Sequence, residues 1–205
     1  MKKQVVFVVL LVLCLSLIVT AQETPLQGGM FRYGTTVNPR GMFNPILYTE
    51  QYDAYVIEVI YDGLIEIDAR LQPQPKVAKA WEISPDGQEI TFYLHEGITF
   101  HDGVELTAKD VAYTYLTILH PDYTGVRFGT FNMLVGAQEY KEGKADTVPG
   151  IEVIDDYTIK FSTSRPHAPL LSSFGYGILP SHLLAHIPVA ELEMADFNLK
   201  PIGSG

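Results

Sequence analysis

Ser84-Pro85-Asp86-Gly87-Gln88-Glu89-Ile90-Thr91-Phe92-Tyr93-Leu94, followed shortly by Leu106-Thr107-Ala108-Lys109-Asp110-Val111, sets a turn, a strand and a capped helix in quick succession. Pro at the second and Gly at the fourth position make Ser84–Gly87 a β-turn. Ile90, Phe92 and Leu94 then alternate with Thr91, Tyr93 and His95, the period of a half-buried strand. Ile98 and Phe100 repeat the alternation before Asp102-Gly103 turns the chain. Thr107-x-x-Asp110 is a close relative of the capping box, and the helix it opens buries Val111, Tyr115, Ile118 and Leu119 until His120-Pro121-Asp122 ends it.

Working outward, Tyr52, Val56, Val59 and Ile60 fall on one face of an upstream helix, which Asp62-Gly63 is expected to stop with Gly63 in the left-handed position. Leu64 to Ile67 reads as a strand, and Pro73 and Pro75 flank an extended connection into Val77, Ala78, Ala80 and Trp81. Further upstream, Met30 to Thr35 reads as a short strand, and Asn38-Pro39 and Asn44-Pro45 mark loops. Downstream, Tyr123 to Phe131 is a long loop, Tyr140 to Asp146 a charged surface segment, and Ile151–Ile154 with Tyr157–Phe161 a hairpin joined at Asp155-Asp156. Ser181 to Ile187 reads as a short helix. Tight turns between neighbouring strands predict an α+β module with antiparallel pairing, not a doubly wound parallel sheet.

The first residues speak to compartment. Lys2 and Lys3 precede an apolar run from Val5 to Val19, and Val19-Thr20-Ala21 supplies small residues for cleavage after Ala21. The run is short for a permanent anchor, which needs about 20 apolar residues. Leu13 before Cys14, the only cysteine, argues against lipidation there, and cleavage would leave no cysteine for disulfides or thiol catalysis. A formal net charge of −10 disfavours nucleic acid as a partner.

From Tyr61 to Leu119 the chain resembles the family 5 extracellular solute-binding proteins, the dipeptide- and oligopeptide-binding group of ABC transporters. The resemblance is carried by Tyr61-Asp62-Gly63-Leu64, by Pro75 with Val77-Ala78-Lys79-Ala80-Trp81, and by Ser84-Pro85-Asp86-Gly87. Thr91-Phe92-Tyr93-Leu94, Gly97-Ile98-Thr99-Phe100-His101-Asp102-Gly103 and Leu106-Thr107-Ala108-Lys109-Asp110-Val111 continue it. Downstream, Gly150 to Phe161, Arg165-Pro166-His167-Ala168-Pro169 and Gly177-Ile178-Leu179-Pro180-Ser181-His182-Leu183 are similar too. His95 departs from the Arg usual there.

The resemblance implies an α+β fold with a mixed sheet, of the periplasmic-binding-protein type, in which two lobes close on a ligand. The final stretch, Asn198-Leu199-Lys200-Pro201-Ile202-Gly203-Ser204-Gly205, resembles the family's return into lobe one. The expected organisation is a signal peptide over 1–21, the opening strand region of lobe one over 22–43, a small subdomain over 44–190 and the start of the return over 191–205, with lobe two absent. The implied function is exported capture of peptides for import, in the periplasm or on the outer face of the cytoplasmic membrane. The implied partners are a peptide or similar oligomeric ligand and membrane permease subunits, with the protein a monomer. An oligosaccharide or metal-chelate ligand is the alternative within the family; an exported hydrolase or an anchored sensor module are alternatives outside it.

No catalytic, metal or cofactor site is expected. His182-x-x-x-His186 has a spacing zinc can use, but Leu183 and Leu184 stand where H-E-x-x-H carries its Glu and neighbour. His101-Asp102 reads as part of a turn, and Glu50, Asp53 and Glu58 as solvated charges. By position in the family, ligand contacts are expected from Thr49, Glu50 and Gln51 after the Asn-Pro turn, and from Tyr123 to Phe128 after the capped helix, including Arg127. Glu50 would meet a ligand amine, and Tyr123 or Phe128 would cover an apolar side chain. An ordinary exposed loop is the other reading of each segment.

Overall fold

A computed structural model describes residue 32 and residues 34–205 apart from residue 168. The chain divides after Gly34, and every element below lies in the second unit. The signal segment lies outside the described residues, as does most of the strand expected over 30–35, whose described members Arg32, Gly34 and Thr35 carry no strand. Among the described residues no helix is long and apolar enough to cross a membrane.

The quoted stretch forms the centre of the molecule. Strand β3 (Ala78–Ile83) and strand β4 (Glu89–Leu94) are joined by the Ser84–Gly87 turn, where Gly87 takes φ +69° and donates its N–H to the Ser84 carbonyl at 2.8 Å. Ile90, Phe92 and Leu94 are buried, as their alternation requires. Strand β6 (Thr158–Ser162) pairs with the other edge of β4, and β5 (Ile151–Asp155) pairs with β6. The sheet order is therefore β3-β4-β6-β5, antiparallel throughout. A second, two-stranded ladder joins β1 (Ile65–Ile67) to β2 (Pro73–Pro75), so the segment expected as a connection is a strand. Proline is admissible in so short an edge strand because its missing N–H faces away from the ladder.

Helix α1 (Gln51–Ile60) precedes β1, and helix α2 (Ala108–Leu119) packs across β5 and β6. Short helices α3 (Phe128–Phe131), α4 (Ala137–Lys141), α5 (Leu170–Ser173) and α6 (Ser181–Leu184) complete the set, with 3-10 turns over Val189–Met194 and Asp196–Asn198. The core is aromatic: Phe92 from β4, Tyr115 from α2, Phe131 from α3, Phe161 from β6 and Phe174 after α5 are all fully buried.

Helix α2 begins as its sequence dictates. Thr107 and Asp110 form the capping box, and the Asp110 carboxylate accepts from the Thr107 N–H at 2.9 Å and its hydroxyl at 3.2 Å. The other carboxylate oxygen accepts from the Ser181 N–H at 3.0 Å and its hydroxyl at 2.7 Å. One turn on, the Thr114 hydroxyl accepts from the Leu179 N–H at 2.9 Å. The helix thus binds the start of α6 through polar atoms as well as packing.

Helix α1 corrects two expectations. Its buried face is Asp53, Ala54 and Ile57, whereas Val59 is 69% exposed. Gly63 is not left-handed; the helix ends at Tyr61, which turns extended. Gly63 is required by close approach, since a Cβ there would lie 2.5 Å from the Gly175 backbone.

Residues 198–205 fold back onto residues 43–60. Phe43 donates its N–H to the Asn198 carbonyl at 3.0 Å, and the buried Asn44 amide donates to the Asn198 side chain at 3.1 Å. Gly205 N–H reaches the Ile60 carbonyl at 2.9 Å, closing the end of α1.

Candidate functional site

The Asn44-Pro45 turn is fixed by the Asn44 side chain, whose oxygen accepts from the Ile46 N–H at 3.1 Å. It presents Leu47, Tyr48 and Thr49 in succession. The segment after α2 is tied to this turn by Tyr123, whose hydroxyl donates to the Ile46 carbonyl. Consequently the two segments picked from the sequence face one cleft of about 330 Å³, lined by Arg40, Thr49, Asp53, Thr124, Gly125 and Glu193 among others. The Thr124 hydroxyl donates to Glu193 at 3.2 Å across this wall.

A second cleft, of about 620 Å³, is lined by Tyr48, Glu58, Tyr61, Glu66, Lys76 and Tyr176 among others. Lys76 is held there by Asp62 at 2.9 Å and Glu66 at 3.6 Å. Burial lowers its pKa while these carboxylates raise it, and the net shift is upward.

Arg127 follows Val126 of the smaller cleft and packs on Tyr48 and Tyr176 of the larger, without itself lining either. Its guanidinium stacks on the rings of Tyr48 and Tyr176, 4.4 Å from each centroid. One terminal nitrogen donates to the Tyr176 hydroxyl and the other to the Tyr48 carbonyl, both at 3.4 Å. Its Nε is buried and has no hydrogen-bond partner among the described residues. Tyr48 and Tyr176 lie outside the segments singled out in the sequence; an aromatic between Gly175 and Gly177 was the available signal for the second.

The remaining candidates fall as follows. Thr49 lines the smaller cleft, Glu50 is exposed and paired with Arg40 at 3.3 Å, and Gln51 is the exposed first residue of α1. Tyr123 is only 6% exposed and faces the core, and burial pushes its phenol up to about 12. It therefore shapes the loop, and does not present its ring at the loop surface as expected. Phe128 is half-buried, with the Lys141 ammonium 5.5 Å from its ring. Lys141 itself caps the end of α2, donating to the carbonyls of His120, Pro121 and Tyr123 at 2.8, 3.0 and 3.0 Å.

Asp53 is a further correction. Expected as a solvated charge, it is 0% exposed, with one oxygen accepting the Gly41 N–H at 3.0 Å and the other without a partner among the described residues. His101 and Asp102 form no dyad. Asp102 bonds His182 Nε2 at 2.7 Å, and that bond is the main cause holding its carboxyl below the usual range. His101 instead lies 3.0 Å from the Gly205 carbonyl. Among the described residues no group of three His, Cys, Asp or Glu side chains is placed to hold a metal ion.

Residues 72–205 match the family described as bacterial extracellular solute-binding proteins, family 5. The chain belongs to this family. The family 5 chain is 32% identical to the oligopeptide-binding protein AppA of Bacillus subtilis over 88% of its own length and 31% of that protein's. Against the dipeptide-binding protein of Escherichia coli it is 29% identical, over 96% of its length and 38% of the relative's. It superposes on the structure of AppA in complex with a nonapeptide with a TM-score of 0.70 at 30% identity, covering 80% of this chain and 30% of AppA. The structure of NikZ from Campylobacter jejuni in complex with Ni(L-His) gives 0.68 at 28% identity, covering 82% of this chain and 30% of NikZ. The family 5 chain thus spans about a third of the length of the curated relatives it matches. The expected fold class, α+β of the periplasmic-binding-protein type, agrees with these neighbours.

Proposed function

We propose that this family 5 protein captures peptides outside the cytoplasm and delivers them to the permease subunits of an ABC transporter. The observation that carries the reading is the match to AppA in both sequence and fold, over four-fifths or more of this chain. The geometry is in keeping with it: two clefts that share the Pro45–Thr49 segment are lined in good part by loop residues, which suits a ligand held by its main chain while its side chains vary. Thr49 and the Thr124–Phe128 loop are the proposed contact residues. A metal chelate is the second reading, favoured by the comparable likeness to NikZ.

Affinity in hinge-closing receptors comes from enclosing the ligand, and one wall leaves its hydrogen bonds open to water. Each such bond nets about 1 kcal/mol. Residues 22–205 should therefore bind peptides only at about millimolar Kd or weaker, and the same chain joined to a second lobe far more tightly. Calorimetry of both forms against a mixed peptide library decides the matter. Micromolar binding by residues 22–205 would assign affinity to these loops and not to closure; no binding by the two-lobe form, with Ni(L-His) binding in its place, would replace peptide by chelate.

Export is part of the same proposal. Expressed from its native start, the protein should be recovered outside the cytoplasm beginning at Gln22. N-terminal sequencing that returned Met1 or Lys2 on the mature protein would refute cleavage after Ala21.

A further inference from the structure

We propose that Arg127 is an anchor for a carboxylate of the captured ligand, an assignment that builds on the solute-binding reading above. In a chain with 24 acidic and 14 basic side chains, carboxylate partners are abundant. Arg40, Lys76, Lys109, Lys144 and Lys160 each have one within 4 Å. Arg127 has none among the described residues; the others without one are the exposed Arg70, Lys79, Arg165 and Lys200, and Lys141, which three carbonyls satisfy. The hydrogen bonds of Arg127 go only to uncharged oxygens, both at 3.4 Å, near the outer limit for such a bond, and its buried Nε has no acceptor among the described residues.

The surroundings hold the group ready for an anion. Tyr48 and Tyr176 each bring a ring centroid to 4.4 Å from the guanidinium carbon, and each also accepts one of its hydrogen bonds, which restrains the group. Only its edges, where the N–H groups point, can take a further partner, and the residue remains partly exposed. A planar fork in a partly desolvated setting matches the two oxygens of a carboxylate, and charge-assisted bonds of this kind are about twice as strong as neutral ones. The flanking tyrosines line the larger cleft, and Val126, its neighbour in the chain, lines the smaller, so an anion at Arg127 would sit where a ligand in either cleft could supply it. The competing account is that Arg127 merely ties two tyrosines together.

Titration of the purified chain with sodium acetate, acetamide and sodium chloride at matched ionic strength separates these accounts. The readout is the Arg127 Nε–H resonance in a nitrogen-edited NMR spectrum. Acetate should give a saturating shift about fivefold or more larger than either control, and the resonance should be missing from the Arg127→Gln spectrum, which assigns it. An acetate shift no larger than that of acetamide or chloride overturns the assignment. That comparison uses the unaltered chain, so a poorly folded variant cannot mask the result.

The source of the carboxylate follows from tri-alanine, its C-terminal amide and the amide of Ala-Glu-Ala. A tri-alanine preference of about tenfold over its amide identifies the ligand's terminus. Recovery with the Glu-containing amide identifies a side chain. Peptide capture that ignored all these differences would overturn the Arg127 assignment and leave peptide capture standing. An acetate response without peptide binding would do the reverse.

Discussion

Replacing Phe174 by Ala should lower the unfolding free energy by about 3–5 kcal/mol, the cost of removing a buried aromatic ring and leaving a cavity. The ring is fully buried, with centroids 4.5 Å from Phe161, 4.9 Å from Phe92, 5.2 Å from Tyr115 and 5.8 Å from Phe131. It touches the sheet, α2 and α3 at once, so no single neighbour can move in to fill the space. Its main chain matters too, because the Phe174 carbonyl accepts the Leu64 N–H at 3.0 Å. Small domains are stable by only about 5–15 kcal/mol, so the variant should lose a large part of the total. Urea denaturation followed by tryptophan fluorescence reads the effect through Trp81, whose ring lies 6.5 Å from Phe92. A loss below about 1 kcal/mol would mean that the five rings do not form one packed unit.

Asp110→Ala is expected to cost about 3 kcal/mol, although the residue carries no apolar surface worth counting. Asp110 is 4% exposed and accepts four hydrogen bonds, two from Thr107 and two from Ser181. Truncation leaves both backbone N–H groups and both hydroxyls without an acceptor in a site shielded from water, and each buried orphan is costly. Thr107→Ala removes only the hydroxyl's part in the capping box and should cost about 1 kcal/mol. The ratio between the two variants is the informative quantity. Equal losses would show that the capping box alone matters and that the link from α2 to Ser181 contributes nothing. Measured by denaturant midpoint at constant m-value, the comparison is free of changes in the unfolded state.

These two residues also mark what a sequence can and cannot disclose. The turn at Ser84, the alternation of β4 and the cap of α2 were legible because each is written within four to six neighbouring residues, and the structure follows them closely. The face of α1 was not. Its helical spacing favours Val59, but the face that turns inward carries Asp53, which is drawn there by the Gly41 N–H, twelve residues away. Tyr123 looked like a loop aromatic and is buried because its hydroxyl reaches the Ile46 carbonyl. Tyr48 and Tyr176, 128 positions apart, both pack on Arg127, with no local pattern to announce it. Polar atoms satisfied at long range decide such positions, and periodicity carries no record of them.

The pairing of Asn44 with Asn198 joins two side chains 154 positions apart. A chain that emerges from its amino end, whether from a ribosome or through an export channel, must release nearly all of this sequence before that bond can form. Until then the Asn44 turn lacks the partner that seals it, and the loop-closure entropy of the whole intervening chain is still unspent. The bond therefore acts as a completion check. It ties the final shape of the Tyr48–Thr49 wall to the arrival of Asn198, and keeps a half-delivered chain from presenting a finished one.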